Sequence, residues 1–271
     1  MTTNILKEGL SMKLNYIDDG NEFDFGKVSD EYAKYRDIYP KSMYDKLISF
    51  GIGKQGQNIL DLGSGTAVLP INLYHTGANF TSTDISENQI AYGQKLAEQK
   101  GMNINFKVCS AENTGFESNH FDVVTAVQCF HYFDSEKAAK EIHRVLKSNG
   151  LFCKIFMDWL PYEDEKIFEM EQLVLKYNPH WKGGGFKQYQ YSFPEWAKSR
   201  FDISTIHSYN TVLTFTKEQW LGRIKSCRGV GASLSPEKIQ AFEDEYKNIL
   251  AKYDEPLKLL HQIHIEIYFA R

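Results

Sequence analysis

One short stretch constrains the fold of this chain more than any other: Asn58-Ile59-Leu60-Asp61-Leu62-Gly63-Ser64-Gly65-Thr66, with Asp84 nineteen residues beyond Gly65. Ile59-Leu60 is an apolar pair bounded by Asn and Gly, the punctuation of a short buried strand. Gly63 and Gly65 have no Cβ, so they accept positive φ and let a ligand lie against the backbone. Thr66-Ala67-Val68-Leu69 then opens a helix whose first N–H groups face the turn. A second run, Ala78-Asn79-Phe80-Thr81-Ser82-Thr83, ends in Asp84. A carboxylate at the tip of that second strand is placed to accept hydrogen bonds from the two hydroxyls of a ribose held at the first turn. The stretch reads as strand, turn and helix built around a nucleoside.

The spacing distinguishes two kinds of nucleoside ligand. A dinucleotide fingerprint wants a small residue three positions after the second Gly, for close helix packing, and this chain has the branched Val68 there. The loop Asp61 to Thr66 instead resembles the first motif of class I S-adenosylmethionine-dependent methyltransferases. The likeness continues. A strand over Ile104 to Cys109 leads to Ser110-Ala111-Glu112, where that family holds adenine. Phe121 to Val127 begins with the family's Phe-Asp pair and runs into Gln128-Cys129-Phe130-His131-Tyr132-Phe133. A helix over Ala138 to Leu146, stopped by Ser148-Asn149-Gly150, precedes a fifth strand over Leu151 to Phe156. The resemblance implies S-adenosylmethionine as cofactor, held by Gly63, Ser64, Gly65, Thr66, Asp84, Ile85, Ala111, Glu112, Gln128 and Cys129. It also places the segment before the first strand as a flap, with Tyr32 over the cofactor and Arg36 pairing with its carboxylate, since a guanidinium matches two oxygens at once. Tyr32 to Pro40, together with Gln128 to Phe133, resembles the small-molecule branch that includes trans-aconitate methyltransferases.

The expected architecture is α/β: a Rossmann-like doubly wound seven-stranded sheet, mostly parallel with the last strand antiparallel, carrying helical lid insertions. Residues 1–271 form a single domain in this reading, with a helical flap over 1–55 and a cofactor-binding core over 56–157. Lid insertions occupy 158–200 and 216–258, and closing strands 201–215 and 259–271. Within these, Glu163 to Tyr177 has helical period, a short helix lies near Pro194 to Arg200, and Thr216 to Tyr253 forms two helices. Ile203 to Phe215 and His261 to Ala270 have the β-branched and aromatic content of strands.

Composition bounds the function. The net charge of −4 and the lack of a Lys/Arg tract disfavour a nucleic-acid partner. No stretch reaches the about 18 apolar residues of a membrane span, and the first residues lack the apolar block of a signal peptide. The expectation is a cytoplasmic protein with a small-molecule substrate, its oligomeric state left open. Cys109, Cys129, Cys153 and Cys227 are scattered and read as small hydrophobes. His261 and His264 would point to opposite faces of a strand, which leaves no metal site.

Methyl transfer from a sulfonium is a direct displacement, so holding donor and acceptor in line supplies much of the rate. A base is needed only for a hydroxyl, phenol or protonated amine acceptor. His131 is the candidate base, four residues past the fourth strand, unless it pins its loop together with Tyr132 and Phe133. Trp159, Tyr162, Trp181, Phe186, Tyr189 and Tyr191 would suit a flat or apolar acceptor, and Arg223, Lys225 and Arg228 an acid; packing and a solvated helix face are the competing readings. A catalytically silent cofactor-binding protein and an NAD-dependent oxidoreductase are the alternatives in other classes.

Overall fold

Strand β1, Asn58–Leu62, is buried at every residue after Asn58 because it lies inside the sheet with a parallel strand on each side. Ile59 pairs with Phe80 of β2 (Asn79–Asp84) on one side and with Val123 of β4 (Phe121–Val127) on the other. Beyond β2 lies β3 (Asn105–Val108), and beyond β4 lies β5 (Leu146–Trp159), both parallel. With β6 (Phe201–Phe215) and β7 (Leu257–Ala270) the order is β3-β2-β1-β4-β5-β7-β6, a mixed sheet with antiparallel last strands. The order reverses direction between β1 and β4, and in such sheets ligands bind at the carboxyl ends beside that switch point. The computed structural model describes residues 13–24, 34–35 and 38–271.

Among the described residues the helices with full bounds are α1 (Lys41–Ser49), α2 (Val68–Leu73), α3 (Glu87–Gln99), α4 (Ser135–Val145), α5 (Glu165–Tyr177), α6 (Lys217–Lys225) and α7 (Pro236–Leu250). Their starts are written in capping residues. Ser86, Asp134, Asp164, Thr216 and Ser235 each accept a hydrogen bond from a first-turn N–H, and Thr216 and Gln219 form a reciprocal capping box. α3 lies directly on the glycine turn because Gly93 permits it: a Cβ there would meet the Thr66 carbonyl carbon at 3.2 Å and the Phe106 ring at 2.9 Å.

Three sequence expectations change. α4 starts at Ser135 instead of Ala138, because the cap is Asp134. Ser148-Asn149-Gly150 do not stop a helix ahead of a separate strand. The chain leaves α4 directly into pairing at Phe121↔Leu146, and these residues form an irregularity before the register resumes at Val123↔Leu151, with Asn149 at φ +60°. The short helix expected near Pro194 is a single 3-10 turn, Glu195–Ala197.

The chain divides into two compact units, one of residues 39–157, 189–209 and 263–271, the other of residues 1–38, 158–188 and 210–262. The first has a core of Leu60, Val124, Ile142, Phe152, Phe201 and Tyr268. The second buries Trp220, Phe242 and Tyr246 completely, and in it the Trp159 indole donates to Glu171 at 2.9 Å. Cys129, Cys153 and Cys227 are buried and Cys109 is half-buried, and none of the four is in a disulfide bond. Among the described residues no helix is long and apolar enough to cross a membrane.

Candidate active site

β1 delivers Asp61 and the glycine turn, and β2 delivers Asp84. Gly63 and Gly65 adopt φ of +58° and +55°, and Ala67 follows at +62°, a left-handed conformation costly for a residue with a Cβ. Val68 then begins α2. A Cβ on Gly63 would approach the Cys129 side chain at 2.9 Å, so the glycine is required by packing as well as by conformation. Gly65 N–H donates to Asp84 Oδ2 and Ser86 N–H to Oδ1, both at 2.9 Å, which fixes the Asp84 carboxylate against the turn. Two hydroxyls of this loop, Ser64 Oγ and Thr66 Oγ1, are buried without a hydrogen-bond partner. Native interiors rarely leave such atoms unmatched, so a ligand with polar atoms at the turn would complete them.

The electrostatics are as specific. Burial pushes the Asp61 carboxyl up to about 7, against the hydrogen bond from Thr125 Oγ1 at 2.6 Å, and the nearby Asp84 adds to the rise. Burial raises Asp84 too, opposed by donation from Ser86, Gly65 and Ile85 backbone groups. Among the described residues no ion pair joins Asp61, Asp84 or Glu112 to a cationic side chain. A turn with two desolvated, unneutralised carboxylates favours a cationic ligand and opposes a pyrophosphate.

Asp61 yields a pH prediction. Its folded value of about 7 lies above the usual unfolded carboxyl value, so its stabilising contribution is complete below about pH 4 and is lost as pH rises toward 7. Asp61→Asn is therefore expected to match the parent in thermal unfolding at pH 4 and to exceed it above pH 7, by up to a few kcal/mol. Parallel melting curves for the two proteins across that range check this.

On the adenine side, Ala111 is buried and Glu112 is anchored through both oxygens. Ser110 Oγ donates to Oε2 at 2.6 Å and Asp134 N–H to Oε1 at 2.9 Å. Past β4, Gln128 sits at φ +59°, and its amide nitrogen donates to the Met157 carbonyl. The Cys129 thiol is turned inward onto the Leu62 carbonyl at 3.1 Å, with burial holding it well above the ordinary thiol range. Gln128 and Cys129 thus use their side chains to tie the turn's floor to β5 and β1. His131 is exposed, on the 3-10 turn Phe130–Tyr132, with its ring centroid 4.0 Å from Tyr132 and 5.8 Å from Phe156.

Tyr32 and Arg36 lie outside the described residues. Their neighbour Tyr35 packs its ring on Gly222 and donates to Glu218 at 2.9 Å. The acid-binding reading of the insertion's cations is corrected for Lys225, at the end of α6, and for Arg228, beyond it. Lys225 pairs with Glu243 at 2.8 Å, and Arg228 is buried against Asp18 at 2.6 Å, so neither forms a solvated face or an open anion site. Arg223 is buried with its guanidinium 5.3 Å from the centre of the Trp159 ring. Of the aromatic residues expected in a lid, Trp159 and Trp181 are core of the second unit, and Tyr162 is exposed. Sequence reasoning passed over Asp61, although a carboxylate inside an apolar strand was a legible signal.

Residues 60–153 match a family model described as a methyltransferase domain. An uncharacterized methyltransferase of Schizosaccharomyces pombe is 30% identical over 126 residues, covering 46% of this chain and 49% of that protein, so the alignment spans about half the relative's length. The uncharacterized methyltransferase YcgJ of Bacillus subtilis is 22% identical over 207 residues, covering 75% and 79%. The crystal structure of YcgJ superposes with a TM-score of 0.54 at 18% identity, covering 83% of this chain and 97% of that one, a likeness of fold.

Proposed function

We propose that this chain, whose residues 60–153 match a methyltransferase-domain model, transfers a methyl group from S-adenosylmethionine to a small-molecule acceptor. The observation that carries the cofactor is the glycine turn, with two buried carboxyls that have no cationic partner among the described residues and two unpartnered hydroxyls, Ser64 Oγ and Thr66 Oγ1. When bound, S-adenosylmethionine supplies a methyl group on a sulfonium that an acceptor lone pair displaces. Asp84 would accept the ribose hydroxyls, Ser64 and Thr66 would complete the loop's hydrogen bonds, and Ala111 with Glu112 would border the base. Asp61 and Asp84 together favour a ligand bearing an ammonium and a sulfonium, whereas the two phosphates of NAD would face the same carboxylates at a cost.

The acceptor side is the turn that carries His131. An exposed imidazole on a 3-10 turn past β4 is suited to take the proton of an acceptor hydroxyl or amine near neutral pH. A carboxylate acceptor would need no base. Calorimetric titration with S-adenosylhomocysteine, S-adenosylmethionine and NAD tests the cofactor reading: heat from NAD alone would overturn it. Transfer of labelled methyl to a panel of phenols, amines and carboxylic acids then tests the acceptor. With a hydroxyl or amine acceptor, His131→Asn is expected to lower turnover about 10²-fold with cofactor affinity unchanged. Equal turnover in that variant would return His131 to a purely structural role.

A further inference from the structure

Away from the glycine turn, the first unit contains a chain of hydrogen bonds that no step of methyl transfer uses. Glu266 on β7 is completely buried and carries four donors. Its Oε1 accepts from Tyr189 OH at 2.6 Å and from His264 Nε2 at 2.9 Å; its Oε2 accepts from Lys154 Nζ at 2.8 Å and from Tyr268 OH. His264 is itself buried, and the Tyr189 ring stacks on it with centroids 3.6 Å apart and planes at 29°. The other ring nitrogen, His264 Nδ1, lies 2.5 Å from Ser208 Oγ on β6, and Ser208 is exposed.

Proton placement follows from the carboxylate. Burial would raise the Glu266 carboxyl, but donation from His264 and the charge of Lys154 bring it down to about 2. An ionised Glu266 has no proton to give, so His264 Nε2 carries the hydrogen and donates it. In a neutral imidazole Nδ1 is then a lone pair aimed at the serine, and Ser208 donates its hydroxyl proton to it. An exposed hydroxyl on a base, with that base oriented by a buried carboxylate, is the arrangement that activates a serine nucleophile. Lys154, Tyr189 and Tyr268 fix the carboxylate, and the Tyr189 stack fixes the imidazole plane. In the sheet order β6 is the edge strand, with no further strand beyond it among the described residues.

We propose that Ser208, His264 and Glu266 form a second chemical centre, distinct from the methyl-transfer site, in which Ser208 is a nucleophile toward activated acyl esters. Ser208 Oγ attacks the ester carbonyl, forming an Oγ–C bond as its proton passes to His264 Nδ1. The bond to the leaving alkoxide or phenolate breaks, and the departing oxygen either takes that proton from Nδ1 or leaves as the anion while Nδ1 releases the proton to solvent, so that the imidazole is neutral again before the next step. Water then attacks the acyl-serine, its proton taken by Nδ1 and returned to Oγ as the carboxylic acid departs. Ser208 and His264 are the catalytic residues of this centre, and Glu266 is a positioning residue.

The experiment mixes the full chain with p-nitrophenyl acetate, follows nitrophenolate release, and maps acetylation by fragment mass spectrometry of the tryptic peptide spanning residues 201–217. The expected result is a burst approaching one equivalent, with an acetyl group on Ser208 in the first seconds. Ser208→Ala, an exposed change that the fold tolerates, should abolish burst and adduct; Ser208→Cys should restore an adduct at the same position. Glu266→Gln should slow acylation about 10-fold or more where circular dichroism shows it folded; if it unfolds, the Ser208 pair still decides. All of these variants except an unfolded one should bind S-adenosylhomocysteine as the parent does, which separates this centre from the methyl-transfer reading. Absence of acetyl-Ser208 in the folded parent, or an equal burst in Ser208→Ala, overturns the proposal and leaves the array a structural cross-link between strands.

Discussion

Asp84→Ala should weaken binding of S-adenosylhomocysteine by about 100-fold or more, the largest functional effect expected of any single change at the glycine turn. The size follows from two charge-assisted hydrogen bonds to a ribose, at roughly 1.5–3 kcal/mol each, offset in part by water. The free protein should remain folded. Burial already disfavours the Asp84 carboxylate, so its removal relieves a desolvation cost while releasing the Gly65 and Ser86 amides. Asp84→Asn, which keeps the shape and one acceptor, should fall between the two. Calorimetry on the three proteins measures this, and an alanine variant that binds like the parent would remove the ribose from β2.

Lys154→Met should cost about 3–5 kcal/mol of stability, the largest structural effect expected, because it strands a fully buried carboxylate without its cation. Lys154 lies among the rings of Phe130, Phe156 and Trp196, each centroid within about 6 Å, so no water replaces the lost charge. The double variant Lys154→Met/Glu266→Gln should recover more than half of the loss, since the remaining neutral amide still meets Tyr189 and Tyr268. Urea midpoints for the single and double variants give the coupling. A double variant no more stable than the single one would show that the ion pair is not what holds these strands.

Local signals carried most of the fold. β4 begins and ends at the residues its apolar run marks, Phe121 and Val127, because a parallel inner strand is buried on both faces and reads as a continuous apolar stretch. α5 ends at Tyr177 as its period predicts, and Asn178-Pro179 follow. The glycine turn was legible because positive φ at two closely spaced positions leaves few residue choices. Boundaries governed by a cap or an irregularity were less so. Asp134 looks like a loop residue until its side chain is seen accepting from Lys137 N–H.

What the sequence by itself determined was therefore the topology and the glycine turn, since strand period, helix period and glycine conformation are properties of short windows. Only the tertiary structure decided which charged groups are neutralised. Arg228 reads from sequence as an acid-binding or solvated cation, and only the fold sets Asp18, more than two hundred residues earlier, against it; Lys154, inside the fifth strand, is paired only because β7 brings Glu266 beside it. Cys129 looked like a cofactor neighbour, yet its thiol points inward to β1. The physical reason is the same in each case. The energy of a buried charge or donor depends on partners within a few ångströms, and the pairing of distant strands, which no local window encodes, chooses those partners.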